Sequence, residues 1–78
     1  MKELLEFIAK ELVENPDAVE VTEVRDERGI LLQLSVDPED MGKVIGKGGR
    51  TARAIRQVVK AAALREDVHA AVEIVDRR

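Results

Sequence analysis

Over the first fifteen positions, Leu4, Leu5, Ile8 and Leu12 recur at helical spacing, Phe7 and Val13 widen the stripe, and Asn15-Pro16 supplies a stop. The spacing predicts an amphipathic helix from Lys2 to Asn15. From Ala18 to Arg25 the chain is rich in β-branched residues and roughly alternating, as a half-buried strand requires. Val24 has the wrong parity to share a face with Val19 and Val21, so a bulge or twist is expected near Thr22. Asp26 to Gly29 reads as a turn, and Ile30 to Val36 returns as a second strand with Ile30, Leu32, Leu34 and Val36 on one face. Asp37-Pro38-Glu39-Asp40 starts a helix: Asp37 caps free amides, proline suits the first turn, and two acids meet the positive end of the dipole. That short helix carries Met41, Val44 and Ile45 before Gly46-Lys47-Gly48-Gly49 breaks it. A longer helix follows from about Arg50 to Leu64, burying Ile55, Val58, Val59 and Ala62, and His69 to Val75 forms a last strand with Val72 and Ile74 inward. The order is α-β-β-α-α-β. The expected class is α+β, with three helices packed on one face of a three-stranded mixed sheet, because a strand entered by helical crossover lies parallel to its neighbour, most simply the second strand.

Composition narrows the chemistry. Seventy-eight residues suffice for one small core, so residues 1–78 are expected to form a single domain with no large enclosed pocket. Without cysteine there is no disulfide, cysteine zinc site or thiol chemistry. Apolar residues make up 45% of the chain and are nearly all aliphatic, Phe7 being the one aromatic; that disfavours readers of nucleic acid that stack bases on aromatic side chains. The most hydrophobic stretch, Ile30 to Leu34, is too short to span a bilayer, and Met1-Lys2-Glu3-Leu4 does not begin a secretion signal. The first helix is acidic on its polar side, which argues against an anionic membrane surface. A soluble cytoplasmic protein is expected.

The net charge of −3 seems to argue against a phosphate-rich partner, but its distribution reverses the inference. Residues 1–40 hold 4 basic and 12 acidic groups, residues 41–65 hold 7 basic and none acidic, and residues 66–78 hold 2 basic and 4 acidic. The basic block comprises Lys43, Lys47, Arg50, Arg53, Arg56, Lys60 and Arg65. On the long helix Arg53, Arg56 and Lys60 fall within roughly 60° of one another, which an ordinary solvated face would also explain. Lys47 and Arg50 are different. They sit at a helix amino terminus, where cations oppose the dipole and call for a compensating anion or a reason unrelated to stability.

Three glycines in four residues separate the two helices, more than helix termination needs. A loop so bare lets another backbone approach closely, and the amides opening the next helix offer an anion site, with phosphate the natural occupant. A Walker loop needs four residues between its glycines and then Gly-Lys-Ser/Thr, whereas Gly42 to Gly46 has three and Lys47 precedes Gly48. A dinucleotide fingerprint follows a strand, and here a helix precedes. What remains is a Gly-x-x-Gly clamp between two helices, the device by which a KH module holds about four nucleotides.

The run Val44-Ile45-Gly46-Lys47-Gly48-Gly49-Arg50-Thr51-Ala52-Arg53-Ala54-Ile55 resembles the (V/I)-I-G-x-x-G-x-x-x-x-x-I core of KH domains, and the element order matches their type II topology. With a core at 37–65, the whole chain resembles the KhpA family of small stand-alone bacterial KH proteins. The resemblance implies a cytoplasmic, single-stranded RNA-binding protein of the RNA-chaperone or post-transcriptional regulator type. It also implies a homodimer or a heteromer with KhpB, a larger KH-containing protein, and a role touching cell elongation and envelope synthesis. Gly46 to Gly49 would clamp phosphates, with Lys43, Lys47, Arg50, Arg53 and Arg56 adding charge. Val44 and Ile45, with aliphatic residues of the second strand, would form an apolar groove under the bases. No cofactor, metal or small-molecule substrate is implied.

His69 has no Ser, Cys or second His to work with and reads as a solvated strand-edge residue, while Glu39, Asp40, Glu66 and Asp67 read as helix-end acids, so catalysis is not expected. Leu64, Ala61 and Gln57 fall outside the predicted buried stripe, as an edge cover or a self-association patch. The competing reading is a protein-interaction adaptor whose basic helix docks an acidic partner.

Overall fold

The computed structural model describes residues 1–76, so the final two arginines of the carboxyl-terminal charge block lie outside the described residues. Helix α1 (Lys2–Leu12) stops three residues short of its expected end, for a chemical reason. The amides of Glu14 and Asn15, which a continuing helix would use internally, donate instead to the carboxylate of Asp40. Pro16 then opens a single 3₁₀ turn. The buried line of α1 is Leu5 and Ala9; Phe7, placed on the apolar stripe by spacing, is 64% exposed.

Strands β1 (Glu20–Asp26) and β2 (Gly29–Ser35) pair antiparallel in unbroken register from Glu20 opposite Ser35 to Asp26 opposite Gly29. The expected bulge near Thr22 is therefore absent. Val24 instead lies opposite Leu31 on the outer face and is 46% exposed. At the turn, Asp26 Oδ1 accepts from the amides of Arg28 (2.8 Å) and Gly29 (3.2 Å). Gly29, at φ +141°, is where only glycine fits: a Cβ there would run into the carbonyl of His69, which accepts from Ile30 N at 2.8 Å.

Asp37 caps the next turn as expected, its side chain accepting from Glu39 N at 2.9 Å, and a 3₁₀ turn (Pro38–Asp40) leads into α2 (Met41–Ile45). Residues Lys47–Gly49 form one more 3₁₀ turn before α3 (Arg50–Arg65). Strand β3 (Ala70–Ile74) completes a mixed sheet in the order β1-β2-β3, parallel to β2 with Ile30 opposite Ala70. The fold is α+β, its three helices covering one sheet face over a core that includes Leu5, Leu32, Leu34, Val36, Val44, Ile55 and Val59.

The buried line of α3 is Ala52, Ile55, Val59 and Ala63, not the Ile55, Val58, Val59 and Ala62 expected from hydrophobicity. Val58 is 48% exposed. Alanines at buried positions 52 and 63 need little room, and their choice over Val58 rotates the buried line toward Arg56. The basic face therefore borders the core instead of opposing it.

Candidate nucleic-acid interface

The glycine loop is built by backbone conformation. Gly46 has φ 76° and ψ 171°, a region essentially confined to glycine, and a Cβ there would lie 2.7 Å from Thr51 Cβ and 2.8 Å from Thr51 N. Gly48 (φ 64°, ψ 18°) and Gly49 (φ 78°, ψ 13°) are left-handed, with open space where a Cβ would be. Gly46 N bonds Gly42 O at 2.9 Å and Gly49 N bonds Gly46 O at 3.1 Å, so the loop is an ordered turn. No side chain caps α3 at Gly49, which leaves the amino-terminal end of its dipole to solvent or a ligand.

Lys47, Arg50, Arg53, Arg56 and Lys60 are all exposed. Among the described residues none of these five forms an ion pair. Lys43 differs: its Nζ lies 4.0 Å from Glu14 and 3.9 Å from Asp40, turned toward the junction of α1 and α2. The structure thus brings four of the expected cations and Lys60 together along α3 and its leading turn, and engages the fifth elsewhere.

The apolar surface is not where the sequence placed it. Val44 is fully buried, and Ile30, Leu32 and Leu34 of β2, with Val36 just beyond it, belong to the core, so neither walls an open groove. On α2, Ile45 is 38% exposed, while Met41 is half-buried against the core. The groove lies instead between α3 and the edge strand β3, with a volume of about 610 Å³. Its helix side carries Arg53, Arg56, Gln57, Lys60, Ala61 and Leu64, and its strand side Ala70, Ala71 and Val72. Gln57, Ala61 and Leu64, read from spacing as an edge or self-association patch, are groove wall. Small side chains opposite each other at 61, 70 and 71 were the available signal. Across the groove Arg56 Nε donates to the Val72 carbonyl at 3.3 Å.

Asp40 also exceeds its expected role as a helix-end acid. It is 1% exposed and accepts from Glu14 N (3.2 Å), Asn15 N (3.1 Å) and Asn15 Nδ2 (3.0 Å). Burial alone would raise its pKa, but the bonds from Asn15 and the Glu14 amide, with the nearby Lys43 charge, outweigh it and hold the carboxyl below its ordinary value. Asp40 thereby ties the exit of α1 to the start of α2, whose other end carries the glycine loop.

No helix among the described residues is long and apolar enough to cross a membrane, and no group of three or more potential metal ligands occurs among them. A Gly-x-x-Gly turn joining two helices, packed on a mixed sheet in the order α-β-β-α-α-β, defines a KH domain of the type II topology. The chain belongs to the KhpA/KhpB KH-domain family, whose model matches residues 2–74. It is 61% identical over 75 residues to the RNA-binding protein KhpA of Clostridium acetobutylicum, covering 96% of this chain and all of the relative. It is 43% identical over 76 residues to RNA-binding protein KhpA of Aquifex aeolicus, covering 97% of this chain and 96% of that one. RNA-binding protein KhpA of Chlamydia pneumoniae is 42% identical over 78 residues, the full length of both.

Proposed function

We propose that the chain acts as one KH module that binds single-stranded RNA, gripping about four nucleotides of backbone at Gly46–Gly49 while the bases enter the groove between α3 and β3. One observation carries the reading: a bare, ordered glycine turn opens an uncapped helix beside Lys47, Arg50, Arg53 and Lys60, which have no counter-ion among the described residues. Arrays of unpaired positive charge oppose folding, and an external polyanion relieves them. Lys47 and Arg50 serve the phosphates at the loop, Arg53 and Lys60 line their path, Arg56 faces the groove beside them, and Ile45 and Leu64 supply apolar contact. The names of the relatives support RNA as the ligand. On this reading the module is a binder, not a catalyst, working in the cytoplasm as a post-transcriptional regulator, as a homodimer or beside a KhpB-like partner.

The test is the double substitution Gly48→Asp with Gly49→Asp. Both positions have room for a side chain, and aspartate tolerates the left-handed region, so the fold survives. Two carboxylates at the clamp should lower affinity for short single-stranded RNA by more than about tenfold in fluorescence anisotropy. Unchanged affinity in a variant with wild-type circular dichroism would refute the clamp. Binding confined to long polymers, with none to tetranucleotides, would favour the adaptor reading.

A further inference from the structure

Arg56 is not placed like the other cations. Its Nε is committed to the Val72 carbonyl across the groove at 3.3 Å, whereas Arg53 and Lys60, a turn to either side, have no such tether. A guanidinium is planar, so a bond at Nε to a fixed strand carbonyl restricts the plane and leaves the two Nη groups as a fork of parallel donors beside Ala71 and Val72. For attracting phosphate this arrangement is unnecessary, because Arg53 and Lys60 already supply mobile charge at the same face. An oriented donor pair has a different use: it selects a partner with two neighbouring acceptors.

Among the four RNA bases that condition separates two from two. Guanine presents N7 and O6 side by side, and cytosine presents N3 and O2. Adenine places its N6 amino donor beside N1 and beside N7, and uracil places its N3–H donor between its two carbonyls. An adenine or uracil facing the fork leaves a donor against a donor.

We propose that Arg56 is a specificity-determining residue that makes the centre of the groove prefer guanine or cytosine over adenine or uracil. This rests on the RNA-binding reading above. The remaining polar group of the wall, Gln57, carries both a donor and an acceptor and suits adenine, so a preference for adenine would assign recognition to Gln57 instead.

The experiment measures affinities of the intact chain for tetracytidylate, UGGU, tetrauridylate and tetraadenylate, for wild type and Arg56→Lys. Wild type should bind tetracytidylate and UGGU about tenfold or more tightly than the other two. Arg56→Lys keeps the charge and loses the fork, and should shrink that ratio to within about twofold. The wild-type ranking decides the matter even if the variant proves unstable. Equal affinity for all four, a preference for adenine or uracil, or an undiminished ratio in Arg56→Lys would overturn the assignment while leaving RNA binding in place. Failure of all four to bind would overturn the RNA-binding reading, and this assignment with it.

Discussion

The two ends of α3 pose the same backbone problem and solve it differently. At the carboxyl end the helix closes with Val68 N bonded to Ala63 O (3.0 Å) and Asp67 N bonded to Leu64 O (3.1 Å), a Schellman closure that needs one left-handed residue. Asp67 supplies it at φ 62°. At the amino end Gly48 and Gly49 hold nearly the same conformation with no packing that excludes a side chain. Since this chain can place an aspartate in the left-handed region, its glycines at 48 and 49 are not demanded by the turn alone. Their bareness leaves the loop open to close approach from outside, as the proposed clamp requires. Charge repeats the contrast: Lys47 and Arg50 stand where the dipole favours anions, and Glu66 and Asp67 where it favours cations. Each end thereby intensifies the local potential, positive at the glycine loop and negative at the far end, and both give up a little stability to do so.

If that division is right, the glycines of the loop are not equivalent, and the largest effect falls on the one that packs. Gly46→Ala must leave a glycine-only region and displace Thr51, costs that together come to about 3 kcal/mol. Gly48→Ala meets open space and bears only the left-handed penalty, about 1 kcal/mol. Urea unfolding of the two variants gives the ratio directly; equal losses would erase the distinction between a structural and a functional glycine. The next effect concerns the other anchor of α2. Asp40→Ala strands two backbone donors and an amide, and should lower the melting midpoint at pH 7 by about 5–10 °C. Because the folded pKa of Asp40 is depressed, its stabilisation is whole above the unfolded value near 4 and disappears as pH falls through the lower folded value. The gap between wild type and variant should therefore narrow from pH 5 to pH 2, and a gap that widened would contradict the charged form as the stabilising one.

How far these features were legible in the sequence depends on how local their causes are. The alternation of β2, the Asp37 cap and the glycine turn between two helices were readable because each is decided within a few residues. The early end of α1 was not, since the acceptor for its exit amides, Asp40, is 25 residues away from Asn15. The buried line of α3 differs from the expected one because alanine adds little to a hydrophobic pattern, yet Ala52 and Ala63 are buried where Val58 is not. That error carried over to the site: with Val58 and Ala62 drawn inward, Ala61 and Leu64 seemed stray, and the groove was assigned to the second strand. The Arg56 to Val72 bond joins two elements whose adjacency exists only in the folded sheet.

The charge side of the comparison predicts effects of opposite sign. Lys47→Gln with Arg50→Gln removes the two proposed phosphate partners and two charges that oppose the dipole. Affinity for single-stranded RNA should fall about tenfold at low salt, and the slope of log affinity against log salt should lessen by about 1.4, or 0.7 per lost contact. Stability should rise by a few tenths of a kcal/mol. A variant that lost both affinity and stability would show these cations to be structural.

The smallest effect tests the premise that a left-handed aspartate is tolerated here and not optimal. Asp67 ends α3 within a closure whose hydrogen bonds are made by its own amide and that of Val68, so a glycine would keep every bond of the closure. Asp67→Gly removes the left-handed penalty and also takes a negative charge from the carboxyl end of the dipole. Against these gains stands the greater freedom of glycine in the unfolded chain, which returns part of the benefit. The balance should be a stabilisation of about 0.5 kcal/mol, read as a rise of about 2–4 °C in melting midpoint, with RNA affinity unchanged or slightly increased. A loss of stability would mean that Asp67 holds its end of α3 by more than backbone shape, and the inference that Gly48 and Gly49 are bare for the sake of a ligand would lose its internal control.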